Sequence, residues 1–197
     1  MATFEERMAT VQAAFEAYER NGSDLFDVPR EEHKAKVRHR ALLLLDQRAR
    51  SRHELRERLL ALDFEAALVD EVLEDLGQSN LLDDAAFAKE WVRQRHERRG
   101  KTRRVLNREL ISKGVPEHLR YEALEQIDQE SEEALAWRLA QKKARSIKAA
   151  PTSRAEYDKY LRRILGVLAR RGFQESAAFG TAKQCLEQRI EQLREQG

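Results

Sequence analysis

The feature that most limits what this chain can fold into is its resemblance to itself. Shifted by 51 residues, Leu55, Leu59, Phe64, Leu68, Leu73 and Leu76 fall on Leu106, Leu110, Val115, Leu119, Leu124 and Ile127. Shifted by 58, Leu106, Leu110, Gly114 and Val115 fall on Ile164, Leu168, Gly172 and Phe173. A self-match near 50 residues is the mark of a tandem array, in which each unit buries its apolar face partly against a neighbour. The last helix of the third copy matches less closely, with Ala177, Ala182 and Cys185 where leucine or isoleucine would be expected.

Within each copy the apolar spacing is helical. Helices are predicted from about His33 to Gln47 (Val37, Ala41, Leu42 and Leu45 inward), from Ser51 (Leu55, Leu59, Leu60 and Leu62) and from Glu65 to Leu76. Ser51 followed by Glu54 reads as a capping box. In the second copy Asp83 offers its carboxylate to the first amides of a helix, Gly100 breaks it, and Gly114 ends the next. Pro116 opens a third helix, where its missing amide costs nothing. In the third copy Ser131 reads as a cap, and helices run to Pro151, from Ala155 to Arg171, and on from Gly172-Phe173. Residues 3–20 form an amphipathic helix with Phe4, Met8, Val11, Phe15 and Tyr18 on one face. The stripe is read as docking on the body of the protein or on a second copy, or as binding another protein.

Glycine (8) and proline (3) are scarce and 37% of residues are charged, which favours an all-helical, well-solvated protein. The expected architecture is all-α. It is an elongated, curved array of three three-helix repeats (33–80, 81–130 and 131–197) preceded by an N-terminal helix and linker (1–32). No window approaches the roughly 20 apolar residues of a membrane span. The N-terminus lacks the order of a secretory signal, and the single cysteine, Cys185, leaves no internal disulfide, so a cytoplasmic monomer is expected.

The net charge of +2 says little; its distribution says more. Successive blocks 1–32, 33–62, 63–91, 92–113, 114–134, 135–174 and 175–197 carry −5, +6, −8, +7, −6, +9 and −1. In each copy the first two helices are basic, and in copies one and two the third is acidic. The densest run is Arg93, Arg95, Arg98, Arg99, Lys101, Arg103, Arg104 and Arg108, with Glu97 as the only acid inside it. Arg48, Arg50, Arg52, Arg56 and Arg58 make a second patch, and a third includes Arg138, Lys142, Lys143, Arg162 and Arg163. Intrahelical pairs such as Glu54 with Arg58 contribute only a few tenths of a kcal/mol each and do not account for runs with so few acids. Such runs suit phosphate backbone or an acidic protein groove. Aromatic interleaving is sparse, so recognition by shape and charge is expected rather than base reading.

Catalytic signatures are missing from the pattern. The histidines are scattered, no glycine-rich phosphate loop occurs, and no zinc spacing is present, so neither an enzyme nor a cofactor is expected. Asp83-Asp84 is explained by a helix start. Cys185 and Trp137 read as core, and Trp91 as core with an edge that can reach the surface.

Leu82-Asp83-Asp84, Phe87-Ala88, Trp91-Val92, Arg98-Arg99-Gly100 and Glu109-Leu110 with Gly114-Val115, in that order, resemble the RecX family of recombination regulators. Arg50-Ser51-Arg52-His53-Glu54-Leu55 is similar to that family's first-repeat signature. The resemblance spans about residues 35–195. It implies a non-enzymatic modulator that lies along the groove of the RecA filament on single-stranded DNA and inhibits strand exchange, ATP hydrolysis and co-protease activity. Leu82, Phe87, Trp91, Leu106 and Leu110 are then the structural core of the repeat signature. The main contacts are expected from Arg50, Arg52, Arg93, Arg95, Arg98, Arg99, Arg103 and Arg104, made either to RecA or to DNA. A stand-alone nucleic-acid binder and a protein scaffold led by the N-terminal helix are the alternatives.

Overall fold

The computed structural model describes residues 28–195. The helix expected over residues 3–20 lies outside them. Among the described residues there are nine α-helices and no strand: α1 Val28–Gln47, α2 Arg52–Leu60, α3 Ala66–Gln78, α4 Asp84–Arg99, α5 Arg103–Ser112, α6 Glu117–Leu124, α7 Gln129–Ala144, α8 Arg154–Arg171 and α9 Glu175–Glu195. The fold is an all-α helical repeat.

Local chemistry sets most of the boundaries. Asp83 accepts from the amides of Ala85 (2.8 Å) and Ala86 (3.0 Å), and Gly100, left-handed, ends α4. Ser51 accepts from the Glu54 amide at 3.1 Å. The Glu54 carboxylate, however, pairs with Lys113 instead of reaching back to its own helix end, so only half of the expected capping box forms. The cap of α7 is Asp128, not Ser131: its carboxylate accepts from the Ser131 amide at 2.7 Å, because an acid three residues earlier outcompetes the hydroxyl.

The chain divides into two compact units. The first holds α1, α3 and α2 from Leu55 onward. Its core is Val37, Ala41, Leu44, Leu55, Leu59, Val69, Val72, Leu73 and Leu76. Leu42 is 40% exposed and Leu62 43% exposed, against expectation: the buried line on α1 runs Val37–Ala41–Leu44, and α2 has ended before Leu62. Lys34 pairs with Asp75 at 3.0 Å where α1 packs on α3.

The second unit holds α4–α9 together with Ala49–Glu54. Phe87, Ala88, Val92, Leu106, Leu110, Val115, Ala123, Leu124 and Ile127 form one core. Leu135, Ala136, Ala140, Ala144, Leu161, Ile164, Leu168, Ala178, Ala182, Cys185 and Leu186 are buried in the α7–α9 group. Ala177, assigned inward from the sequence, is exposed.

Two joints inside this unit are built alike. At the first, Ser51 Oγ donates to the carbonyl of Lys113 (2.6 Å), and the Arg52 amide donates to the Asp84 carboxylate (2.7 Å). At the second, Thr102 Oγ1 donates to the carbonyl of Arg171 (3.1 Å), and the Arg103 amide donates to the Glu132 carboxylate (2.6 Å). The 51-residue shift carries Ser51-Arg52 onto Thr102-Arg103, and the 58-residue shift carries Lys113 onto Arg171. Each receiving carbonyl precedes a glycine with positive φ, Gly114 at 67° and Gly172 at 93°. A Cβ on Gly114 would overlap the His53 side chain; one on Gly172 would overlap Val105 Cγ2 and come within 2.7 Å of Thr102 Oγ1. The corresponding turn in the first unit has Asp63 at φ 61°, and it is exposed.

Gly172→Ala should therefore lower stability by about 3 kcal/mol, from the left-handed backbone and the overlap together. Asp63→Gly, at the open turn, should change it by less than about 1 kcal/mol. Urea unfolding of the two variants checks the contrast.

Candidate binding interface

The second joint fixes the relation between the end of α4 and the start of α5, and the basic run straddles that junction. Gly100 turns the chain out of α4, and Thr102, only 2% exposed, starts α5 while its hydroxyl is anchored on Arg171. With backbone fixed on both sides, the arginines project from two short, rigid helix ends.

The run splits into two sets. One set is engaged internally. Glu109 is its hub: it accepts from Trp91 Nε1 at 3.0 Å, pairs with Arg95 at 3.4 Å and pairs with Lys101. The Arg95 guanidinium carbon lies 3.1 Å from the centroid of the Trp91 ring, and Lys113 Nζ lies 5.0 Å from it. Trp91 is half-buried and packs on Phe87 with ring centroids 5.5 Å apart. Leu82, Phe87, Leu106 and Leu110 are buried beneath. Arg93 is paired as well, with Glu90 at 2.7 Å and Glu97 at 3.4 Å.

The other set faces solvent. Arg98, Arg99, Arg103, Arg104 and Arg108 are exposed and form no ion pair among the described residues. Glu132 takes the Arg103 amide, which leaves the Arg103 guanidinium available.

The remaining candidates separate similarly. Arg50 is 7% exposed, which removes it from the surface contacts expected of it; it joins Ser51 and Thr102 among the few buried polar residues. Arg52 is half-buried, its amide held by Asp84, whose carboxyl burial pushes above the usual range. Arg56 is committed to Asp70 through two bonds of 2.7 and 3.1 Å. Arg48 is exposed and belongs to the first unit. In the third patch Lys142, Arg162 and Arg163 are exposed and Lys143 half-buried. Lys143, Lys148 and Arg163 line one small cavity of about 250 Å³, and Arg162 donates to the Asp158 carbonyl.

Glu109 was not singled out as a pairing hub from the sequence, because its partners lie 8 residues away in the preceding link and 14 and 18 residues away on α4. Asp84 and Glu132 were missed as joint residues. They play the same part at the two joints, but they lie 48 residues apart, a spacing that neither the 51- nor the 58-residue shift reproduces.

No helix among the described residues is long and apolar enough to cross a membrane, and no group of metal-binding side chains occurs among them.

Residues 38–76 match the model of the RecX first three-helix domain and residues 83–124 that of the RecX second three-helix domain. A regulatory protein RecX from Corynebacterium efficiens is 53% identical over 96% of this chain and 91% of its own length. One from Streptomyces coelicolor is 40% identical over 75% of this chain and 76% of its own. Among solved structures, RecX from Lactobacillus salivarius superposes with a TM-score of 0.65 at 23% identity, covering 80% of this chain and 99% of that one. Another crystal structure of a regulatory protein RecX gives 0.66 at 25% identity, covering 79% of this chain and 74% of that one.

The Glu90–Arg93 pair can be checked by titration. Hydrogen bonds from Arg93 first and Gln94 second hold the Glu90 carboxyl down to about 2, against an ordinary 4.5. A depressed folded value means the pair supports the folded state above the ordinary value and loses that effect as pH falls toward 2. NMR titration of Glu90 should give a midpoint near 2, rising toward 4.5 in Arg93→Gln.

Proposed function

This chain belongs to the RecX family of regulatory proteins, and on that premise we propose that it is a negative regulator of RecA. It engages the RecA filament on single-stranded DNA and lowers its recombinase, ATPase and co-protease activities. It acts as a monomer in the cytoplasm, where such filaments form.

The observation that carries this reading is the group of five exposed arginines, Arg98, Arg99, Arg103, Arg104 and Arg108, which form no ion pair among the described residues and flank the α4–α5 turn. An arginine already paired must break that pair before it binds elsewhere, so Arg93, Arg95 and Lys101 contribute less than their charge suggests. The five can pair with phosphate or carboxylate without that loss. Lys142, Lys143, Arg162 and Arg163 add a second basic area. On a filament that repeats, several weak contacts on one chain act through effective concentration, so no single patch need be strong.

The test is DNA-dependent ATP hydrolysis by RecA, titrated with the protein at two salt concentrations. Wild type should slow hydrolysis. The fourfold variant Arg98→Glu, Arg99→Glu, Arg103→Glu, Arg104→Glu should lose the effect while far-ultraviolet circular dichroism stays unchanged. Full inhibition by that variant would overturn the assignment. Tight binding to bare DNA with no effect on RecA would instead favour the stand-alone nucleic-acid binder.

A further inference from the structure

The third helix group has lost the acid that engages the cations of the second. A 48-residue shift carries Phe87, Ala88 and Val92 onto Leu135, Ala136 and Ala140, and Arg95 onto Lys143. The 58-residue shift carries Glu109 onto Val167. Arg95 is paired with Glu109, whereas Lys143 forms no ion pair among the described residues. Lys143 lines the cavity of about 250 Å³ at the α7–α8 link, together with Lys148 and Arg163. Those two form no ion pair among the described residues either, and no residue lining the cavity is acidic. The acids of α8 are engaged elsewhere. Glu156 accepts from the amide and hydroxyl of Thr152, and Asp158 pairs with Arg154 at 3.2 Å.

Three cations held around one hollow repel each other, a cost that a bound anion removes. Lys143 stands in the last turn of α7, where a cation suits the negative helix end. That does not account for Lys148, in the link, or for Arg163, in the middle of α8. Nor do the carbonyls at this helix end absorb the charge, because they already have donors. The Lys143 carbonyl accepts from the Ser146 amide (3.1 Å) and hydroxyl (2.6 Å), and that of Ala144 from the Ile147 amide (2.9 Å). The Ile147 carbonyl takes two bonds of 3.1 Å from the Arg189 guanidinium, which holds the link beside Lys148 from α9. Tyr160, half-buried, lines the same cavity, and its hydroxyl forms no hydrogen bond among the described residues, which adds a neutral donor. The volume lies under the roughly 300–1,000 Å³ of drug-sized ligand sites, so it suits one small group. A carboxylate offers two oxygens in a plane. A phosphate offers three or more, spread in space, and can meet cations from α7, the link and α8 at once.

We propose that this cavity is a site for a single phosphate group, built from residues other than the arginines at the α4–α5 turn. Lys143 and Lys148 act as point charges, and the Arg163 guanidinium gives two parallel donors. The phosphate comes from a nucleic-acid backbone or as the free ion. The proposal deepens the reading above and rests on it in taking Lys143 and Arg163 as contacts, but it needs no RecA.

The test uses the full-length protein as wild type, as Lys148→Gln with Arg163→Gln, and as a control of equal charge, Lys159→Gln with Arg170→Gln. The two control residues are exposed on α8 and do not line the cavity. Affinity for single-stranded DNA is measured across salt concentrations, inorganic phosphate is followed by phosphorus NMR at constant ionic strength, and circular dichroism checks the fold. The cavity variant should lower the slope of log affinity against log salt by about 0.7, one phosphate contact on a single strand. The control should lower it by less than half as much. Inorganic phosphate whose signal broadens with wild type and not with the cavity variant would support the site and show that it takes the free ion. The slope change without that broadening would support it with the DNA backbone as the source. Equal slope changes in the two variants, with no broadening by wild type, would overturn the site and leave the reading of RecA regulation in place. A site that passes, in a protein without effect on RecA hydrolysis, would overturn that reading alone.

Discussion

Much of this structure depends on a hydroxyl donating to a carbonyl at the end of a neighbouring helix. Ser51 on Lys113 and Thr102 on Arg171 are buried side chain-to-backbone bonds that satisfy carbonyls their own helices leave unpaired. Each is backed by a carboxylate, Asp84 or Glu132, that takes the next amide along. The Arg171 carbonyl also accepts from the Thr102 amide at 3.2 Å, so losing the hydroxyl costs less at the second joint than at the first, where a lost buried hydrogen bond is worth about 1 kcal/mol. The joints explain the two glycines, because the approach of helix to turn leaves no room for a Cβ. They also explain why the basic junction is rigid: Thr102 anchors it from below.

The helices and the apolar faces were readable because they depend on local periodicity. Leu55, Leu59, Leu106, Leu110, Ile164 and Leu168 sit at helical spacing in the same relation to the following turn, and all are fully buried. The misreadings have equally local causes. Leu42 lies beside the buried line of α1 without being on it, and Ser131 was outcompeted by Asp128. What could not be read was pairing across helices. Nothing in the run from Arg93 to Arg108 distinguishes Arg95, stacked on Trp91, from Arg98, which faces water. That distinction is made by Glu109, one acid placed where three donors converge.

The division between engaged and available cations changes how the charge pattern should be understood. Block sums suggested broad basic faces, but a large part of that charge is consumed internally, by Asp70, Glu90 and Glu109. What remains is concentrated at the α4–α5 junction, and it is this smaller group that suits binding another molecule. The family membership agrees with the repeat architecture, and the choice of proposed contact residues rests on burial and pairing within this chain.

Asp63 gives the repeat a direction. Its turn has the same left-handed backbone as those at Gly114 and Gly172, yet it carries a Cβ and stands open to solvent. A further unit arriving there by the same joint would meet a side chain where the other two turns offer bare backbone, along with a carboxylate that would have to be desolvated. The first repeat's turn thus shares the backbone of the other two without the bare surface on which a hydroxyl and a Cβ-free contact are seated there.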